Sequence, residues 1–390
     1  MASHGVPRVS GTASTDKSAA AREKEQRQIT EYKALENNVT DRIKSKDFSN
    51  DTFQATSRLL QQNPEYHTVW NYRRILLQDV FRRELASGNS AVINVQANEG
   101  QDGDALAASK AGLTLAQQEI SLLLSEDLAF LIPLLKQYPK CYWIWNHRAW
   151  LLAKATELLP VQTASQMWRG ELALVSKMLA LDSRNFHAWS YRRSTVQQIE
   201  QLELKSLAED EFAYTTKMVN TNLSNFSAWH NRGQLLPRLL HERQATDQAR
   251  KGMFDAEMEL ITRALYTDPY DQSLWFYHQY LMSTLDAASS LVIDTHTRHT
   301  NIIALPISDA TRMSYLEQEL ASIEDMLDGA EDCKYVYQAL LEYSQRLDHL
   351  AGGSRVNVST SKMGDWLDQV RKLDPLREGR WTDLATSLKL

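Results

Sequence analysis

Cysteine is scarce in this 390-residue sequence: the two present, Cys141 and Cys333, make neither a disulfide framework nor a metal motif. They read as buried free thiols of a reducing compartment. Glycine and proline are also thin, at 14 and nine residues, which turns the expectation toward helix and away from strand. No apolar run approaches the roughly 18 residues that would cross a bilayer. The first 20 residues are polar, rich in Ser and Ala, and lack the apolar centre of a secretory signal. A cytoplasmic protein with no membrane insertion is therefore expected. A basic surplus is missing too: the net charge is −6, which argues against a nucleic-acid partner. Nor is there a glycine-rich phosphate loop, an HExxH motif, or a His, Cys and Asp cluster at metal-binding spacing. These residues do not offer a self-contained active site with its own metal or cofactor.

Tryptophan and tyrosine are plentiful, at ten and fifteen, and 43% of the chain is hydrophobic, enough for one large core or two ordinary ones. The tryptophans are phased. "NPEYHTVWNYRR" (63–74), "YPKCYWIWNHRA" (138–149), "DSRNFHAWSYRR" (182–193), "NLSNFSAWHNRG" (222–233) and "DPYDQSLWFYHQ" (268–279) align on Trp70, Trp145, Trp189, Trp229 and Trp275. A weaker copy, "DPLREGRWTDLA" (374–385), aligns on Trp381. Four copies carry proline six residues before the Trp (Pro64, Pro139, Pro269, Pro375), and four carry arginine three residues after it (Arg73, Arg148, Arg192, Arg232). Six phased copies imply a repeat protein.

An amphipathic stretch precedes each turn. In "ELALVSKMLALD" (171–182), Leu172, Val175 and Leu179 fall on one stripe of period 3.6, and 126–139, 211–222 and 257–268 share the register. A second apolar helix starts near the Trp, as in "WIWNHRAWLLAKA" (143–155). Each unit thus reads as a helix, a tight turn and a returning antiparallel helix, and the chain as an all-α solenoid of hairpins. In the Asp-Pro and Asn-Pro turns the acidic or amide side chain accepts backbone N–H groups, with the proline expected in the first turn of the following helix. Trp and Arg at i and i+3 share a face. The indole is expected to fill the space between hairpins. The guanidinium should pair with a carboxylate of a neighbouring helix, for which Glu126, Glu171, Glu211 and Glu257 are the candidates. His67, His147, His187, His230 and His278, at or beside the anchors, read as packing and turn residues.

The anchors are 75, 44, 40 and 46 residues apart. The long first interval contains 84–112, rich in Gly, Asn, Asp and Ala, which reads as a disordered loop between helices. A second insertion covers about 285–312, and 22–45 reads as a charged helix before the first unit. The expected organisation is a flexible N-terminus, 1–21, followed by a single helical-repeat domain, 22–390, with these two insertions. One pair of residues suggests a site. Lys140 and Arg184 occupy nearly the same slot of consecutive turns, near helix N-termini, where a cation and free N–H groups suit an anion such as a diphosphate. Solvated surface charge is the alternative.

"WNYRR", "WNHRAWLL", "DSRNFHAWSYRR" and "NFSAWHNR" resemble the repeats of protein prenyltransferase alpha subunits. Within that family the resemblance is closest to the Rab geranylgeranyltransferase (type II) alpha subunit, through "HGVPR" (4–8), "NPEYHTVWNYRR" and "KLDPLREGRWTDL" (372–384). It covers about residues 4–80 and 115–390. It implies a right-handed, crescent-shaped solenoid in a one-to-one heterodimer with a beta subunit that carries the catalytic zinc and most of the isoprenoid pocket. The holoenzyme would transfer geranylgeranyl from its diphosphate to C-terminal cysteines of Rab GTPases presented by an escort protein, with no cofactor on this chain. By the motif register Lys140 resembles the lysine that approaches the diphosphate. Arg184 stands where the farnesyltransferase alpha subunit carries its lysine, and His4 resembles an N-terminal histidine that approaches the beta-subunit zinc. The alternatives are the alpha subunit of farnesyltransferase and type I geranylgeranyltransferase, which take CaaX proteins without an escort, or a non-catalytic helical-repeat scaffold.

Overall fold

The structure, a computed structural model, describes residues 19–87, 112–285, 307–352, 358–388 and 390. Among them the chain forms fifteen α-helices and no strand, arranged in two compact units, 1–205 and 206–390. In the first unit α1 (Ala19–Lys44) precedes three hairpins: α2 (Asn50–Gln62) with α3 (His67–Ala86), α4 (Leu115–Gln137) with α5 (Tyr142–Leu158), and α6 (Val161–Leu181) with α7 (Phe186–Glu203). The second unit holds four: α8 (Ala208–Thr221) with α9 (Phe226–Glu242), α10 (Asp247–Thr267) with α11 (Gln272–Ser283), α12 (Asp309–Asp325) with α13 (Lys334–Leu350), and α14 (Thr360–Leu373) with α15 (Glu378–Leu388). The expected all-α hairpin repeat is what forms. Residues 88–111 and 286–306, the bulk of the two insertions, lie outside the described residues, as does most of the 1–21 terminus.

Local chemistry sets the helix starts. Ser49, Thr246, Ser308 and Ser359 each accept a first-turn N–H of α2, α10, α12 and α14, and Thr114 forms a reciprocal box with Gln117 at the start of α4. Helix α1 is tied to the first hairpin by polar contacts: Asn63 Nδ2 donates to Tyr32 Oη at 2.8 Å, and Tyr66 Oη donates to Glu36 Oε1 at 3.1 Å.

Five hairpins turn in four residues, 63–66, 138–141, 182–185, 222–225 and 268–271. Across each of these turns the anchor indole is buried and its Nε1–H donates to the carbonyl six residues earlier. Trp70 bonds Pro64 at 2.8 Å, Trp145 bonds Pro139 at 2.9 Å, Trp189 bonds Ser183 at 2.9 Å, Trp229 bonds Leu223 at 2.8 Å and Trp275 bonds Pro269 at 2.7 Å. Trp381 does the same to Asp374, one residue further back, at 3.1 Å. The proline expectation needs correcting here. Pro64, Pro139 and Pro269 lie in the turn, two residues ahead of the cap residues Tyr66, Cys141 and Asp271, and not in the first turn of the next helix. A residue that offers a carbonyl and no N–H suits a site where only the acceptor is used.

The same carbonyls join neighbouring hairpins. Pro64 O also accepts from Cys141 Sγ at 3.4 Å, Pro139 O from Asn185 Nδ2 at 3.0 Å, and Pro269 O from Cys333 Sγ at 3.0 Å. Each donor is the cap residue of the following hairpin's second helix. The α12–α13 hairpin, which has no anchor tryptophan, keeps the device with a different ring: Tyr337 Oη donates to Glu331 O, again six residues back, at 2.8 Å.

Candidate functional site

Four anchors are followed at three residues by a buried arginine, and three of these arginines reach a carboxylate of the next hairpin. Arg148 places Nε and Nη2 each 2.6 Å from the Glu171 carboxylate, and Arg232 holds Glu257 in the same bidentate way at 2.7 and 2.6 Å. Both glutamates are candidates on spacing. The third partner is not: Arg73 pairs with buried Asp127, its Nε 2.9 Å from Oδ1, while Glu126 is exposed. In α4 the inward position falls one residue later than the alignment places it. Arg192 is buried with Nη1 2.7 Å from Ser176 Oγ, and Glu211, also buried, belongs to the second unit.

Each arginine also grips its own hairpin. Arg73 donates to Ser57 Oγ at 2.8 Å, Arg192 to Ser176 Oγ and Arg232 to Thr216 Oγ1 at 2.7 Å, in every case a hydroxyl 16 residues earlier. Arg148 has Ile132 at that position and uses Leu128 O instead, at 2.8 Å. The carboxylate takes a further partner from the residue two after the next anchor. His147 Nε2 lies 2.7 Å from Asp127 Oδ2, and Tyr277 Oη donates to Glu257 Oε2 at 2.6 Å. These rings also lie against the preceding indole, His147 on Trp70 at 4.9 Å and Tyr277 on Trp229 at 4.7 Å between centroids.

The protonation states follow from geometry. Arg74 Nε can only donate, and it reaches His147 Nδ1 at 3.3 Å, so the imidazole carries its proton on Nε2 and gives it to Asp127. Burial would raise the Asp127 carboxyl, but Arg73 and His147 reverse this and hold it at about 2. Burial outweighs Asp127 at His147 and lowers its pKa, leaving it neutral. Where the fifth copy has no arginine, buried His278 takes the position, 2.9 Å from Glu319 Oε2 and 2.9 Å from Tyr343 Oη. The four arginines, Asp127, Glu171, Glu257, His147, Tyr277 and His278 are all buried, as groups that hold helices together are.

The two candidate cations lie instead in turns between helices. Lys140 immediately precedes Cys141, the cap residue of α5, and is partly exposed, with Nζ 4.0 Å from Asp182 Oδ2. Cys141 makes no side-chain cap bond to the first turn of α5, whereas Asn185 Oδ1 accepts from His187 N at 3.0 Å and Ala188 N at 3.2 Å in α7. Arg184 is exposed beside that capped end. Both cations therefore sit at helix N-termini as the sequence suggests, but one end has only a weakly accepting thiol and the other an amide cap. His4 lies outside the described residues. The two cysteines are buried, and burial pushes the Cys141 thiol up to about 11 and raises that of Cys333, which disfavours the thiolate at both.

A cavity in the second unit has no counterpart among the sequence expectations. It encloses about 330 Å³ between α9 and α11 and is lined by Phe226, Trp229, Gly233, Phe276, Tyr277 and Tyr280. Gly233 lets the Tyr280 ring on its wall approach the backbone: a Cβ there would meet Tyr280 Cε1 at 2.9 Å, and Tyr280 Oη donates to Gly233 O at 2.7 Å. The glycine four residues after Trp229 is the signal that the sequence offers. Among the described residues no group of three or more His, Cys, Asp or Glu side chains could hold a metal ion, and no helix is long and apolar enough to cross a membrane.

The repeat defined by this geometry is a known one. The protein prenyltransferase alpha subunit repeat matches residues 49–80, 124–155, 168–199, 208–239 and 254–285, which are the first five hairpins. The geranylgeranyl transferase type-2 subunit alpha of Schizosaccharomyces pombe is 32% identical over 389 residues, covering 99% of this chain and 98% of the relative. That of Saccharomyces cerevisiae is 36% identical over 256 residues, covering 66% of this chain and 65% of the relative's length. Among solved structures, Candida albicans protein geranylgeranyltransferase-I complexed with GGPP superposes with a TM-score of 0.57 at 18% identity, covering 92% of this chain and 91% of that one, a likeness of fold. The chain belongs to the family of protein prenyltransferase alpha subunits, in its geranylgeranyl transferase type-2 branch. That membership makes it a subunit of an enzyme complex, and it favours neither the farnesyl and type I alternative nor a non-catalytic scaffold.

Proposed function

We propose that this chain is the alpha subunit of a cytoplasmic one-to-one heterodimer that moves geranylgeranyl from its diphosphate to C-terminal cysteines of Rab GTPases delivered by an escort protein. The near full-length similarity to a type-2 alpha subunit carries the reading. The catalytic zinc is assigned to the beta subunit, where it would activate the acceptor thiolate; geranylgeranyl diphosphate is the substrate. The two compact units are taken to form one continuous repeat domain within that heterodimer.

Within it Lys140 is the residue assigned to the departing diphosphate. Charge develops on the leaving group as its bond to the isoprenoid carbon breaks, and a cation beside first-turn N–H groups stabilises it. The start of α5 has only the Cys141 sulfur, a weak acceptor, beside its first N–H groups, which supports Lys140 over Arg184, whose neighbouring N–H groups are taken by the Asn185 amide oxygen. His4 is assigned a minor role near the partner's zinc.

The test is transfer of labelled geranylgeranyl to a Rab by the co-expressed heterodimer. Labelling should require the escort protein and should not extend to a CaaX substrate. Lys140→Ala should lower kcat by about a hundred- to a thousandfold, the range for one electrostatic donor, with Arg184→Ala affecting it less. Labelling of the CaaX protein alone would overturn the type-2 reading, and a wild-type rate for Lys140→Ala would overturn the residue assignment.

A further inference from the structure

The carboxylate facing Lys140 departs from the pattern of its neighbours. At the first position of the four-residue turns, Asn63, Asn222 and Asp268 each turn their side chain inward, accepting the backbone N–H two residues on: Glu65 N at 3.2 Å, Ser224 N at 3.0 Å and Tyr270 N at 3.2 Å. Asp182 has the same position and makes no such bond among the described residues. Its Oδ2 points instead across to the preceding turn, 4.0 Å from Lys140 Nζ, with 39% of the Asp182 side chain and 31% of the Lys140 side chain exposed. It caps the C-terminus of α6, where the helix dipole disfavours an anion and rewards a nearby cation. Arg184, in the same turn, makes no ion pair with it among the described residues.

We propose that Asp182 is the resident counter-anion of Lys140: it holds the ammonium group at the turn while the site is empty, and an incoming diphosphate must displace it. This rests on the assignment of Lys140 to the diphosphate. Asp182 is thereby a positioning residue, acting through Lys140 and setting how tightly the diphosphate is held and how readily it leaves. The pair is partly exposed, so the competition is modest and sensitive to salt.

The test uses the intact heterodimer and inorganic diphosphate as competitive inhibitor. Asp182→Asn should lower the inhibition constant about two- to fivefold, as removal of a surface ion pair allows. Asp182→Glu should restore it, and the difference should shrink in high salt. In the Lys140→Ala background the Asp182→Asn change should have no effect. If Lys140→Ala raises the constant but Asp182→Asn leaves it unchanged, or if Asp182→Asn acts equally without Lys140, the counter-anion role is wrong. If Lys140→Ala leaves the constant unchanged, the diphosphate assignment of Lys140 itself fails, and the role of Asp182 with it.

Discussion

At the scale of the residue, the cluster of buried Arg73, Asp127 and His147 with half-buried Arg74 makes the first unit sensitive to acid. Both pKa shifts run downward. The unfolded imidazole takes a proton below about 6.5 while buried His147 resists it, so stability is fully present above that value and declines as pH falls. Asp127 adds a second loss as pH falls from its ordinary value near 4 toward about 2. Denaturant midpoints should therefore fall in two stages, and His147→Gln, which keeps a donor for Asp127, should remove the first stage from the difference curve. A curve unchanged by that substitution would show that His147 is not buried neutral. Loss of one partner from a buried pair is a larger effect: Glu171→Ala, which strands the Arg148 guanidinium, should cost about 3–5 kcal/mol.

At the scale of the element, the anchor tryptophan acts through both its size and its N–H. Trp145→Ala should cost roughly 3–5 kcal/mol for the lost volume. Trp145→Phe keeps a ring but drops the bond to Pro139 O, which still accepts from Asn185; about 1–2 kcal/mol is expected in urea unfolding. Much of this element is legible in the amino-acid sequence, because hairpin, anchor and arginine repeat at fixed offsets and periodicity reports burial. The departures have local causes. Spacing favours Glu126 over Asp127 because an alignment on the turn cannot see a one-residue shift of the inward face in α4. The hairpin anchored on Tyr337 escapes because its turn, 326–333, is eight residues long and its ring is not an indole. The hydroxyls at 57, 176 and 216 and the rings at 147 and 277 are visible there only as residues. Their roles depend on which helices meet, which spacing along one chain does not state. For the candidate site, sequence places Lys140 and Arg184 in equivalent slots, but the capping difference between Cys141 and Asn185 emerges only with the fold.

At the scale of the whole chain, the connections within hairpins and those between them differ in how constant their length is. The links between hairpins range from the two residues 159–160 to those that contain the long stretches 88–111 and 286–306, whereas five turns within hairpins keep four residues. A carbonyl in such a turn serves the indole of its own hairpin and, at Pro64, Pro139 and Pro269, the cap residue of the next. Adding one glycine after Ser183 would move the Trp189 acceptor out of register, and the altered chain should lose cooperative unfolding and co-purification with the beta subunit. A small folded domain inserted near residue 100 should leave both intact. The hairpin turns thus serve as a ruler: those that carry Lys140 and Asp182 are held to a fixed gauge, while sequence added between hairpins leaves that gauge unread.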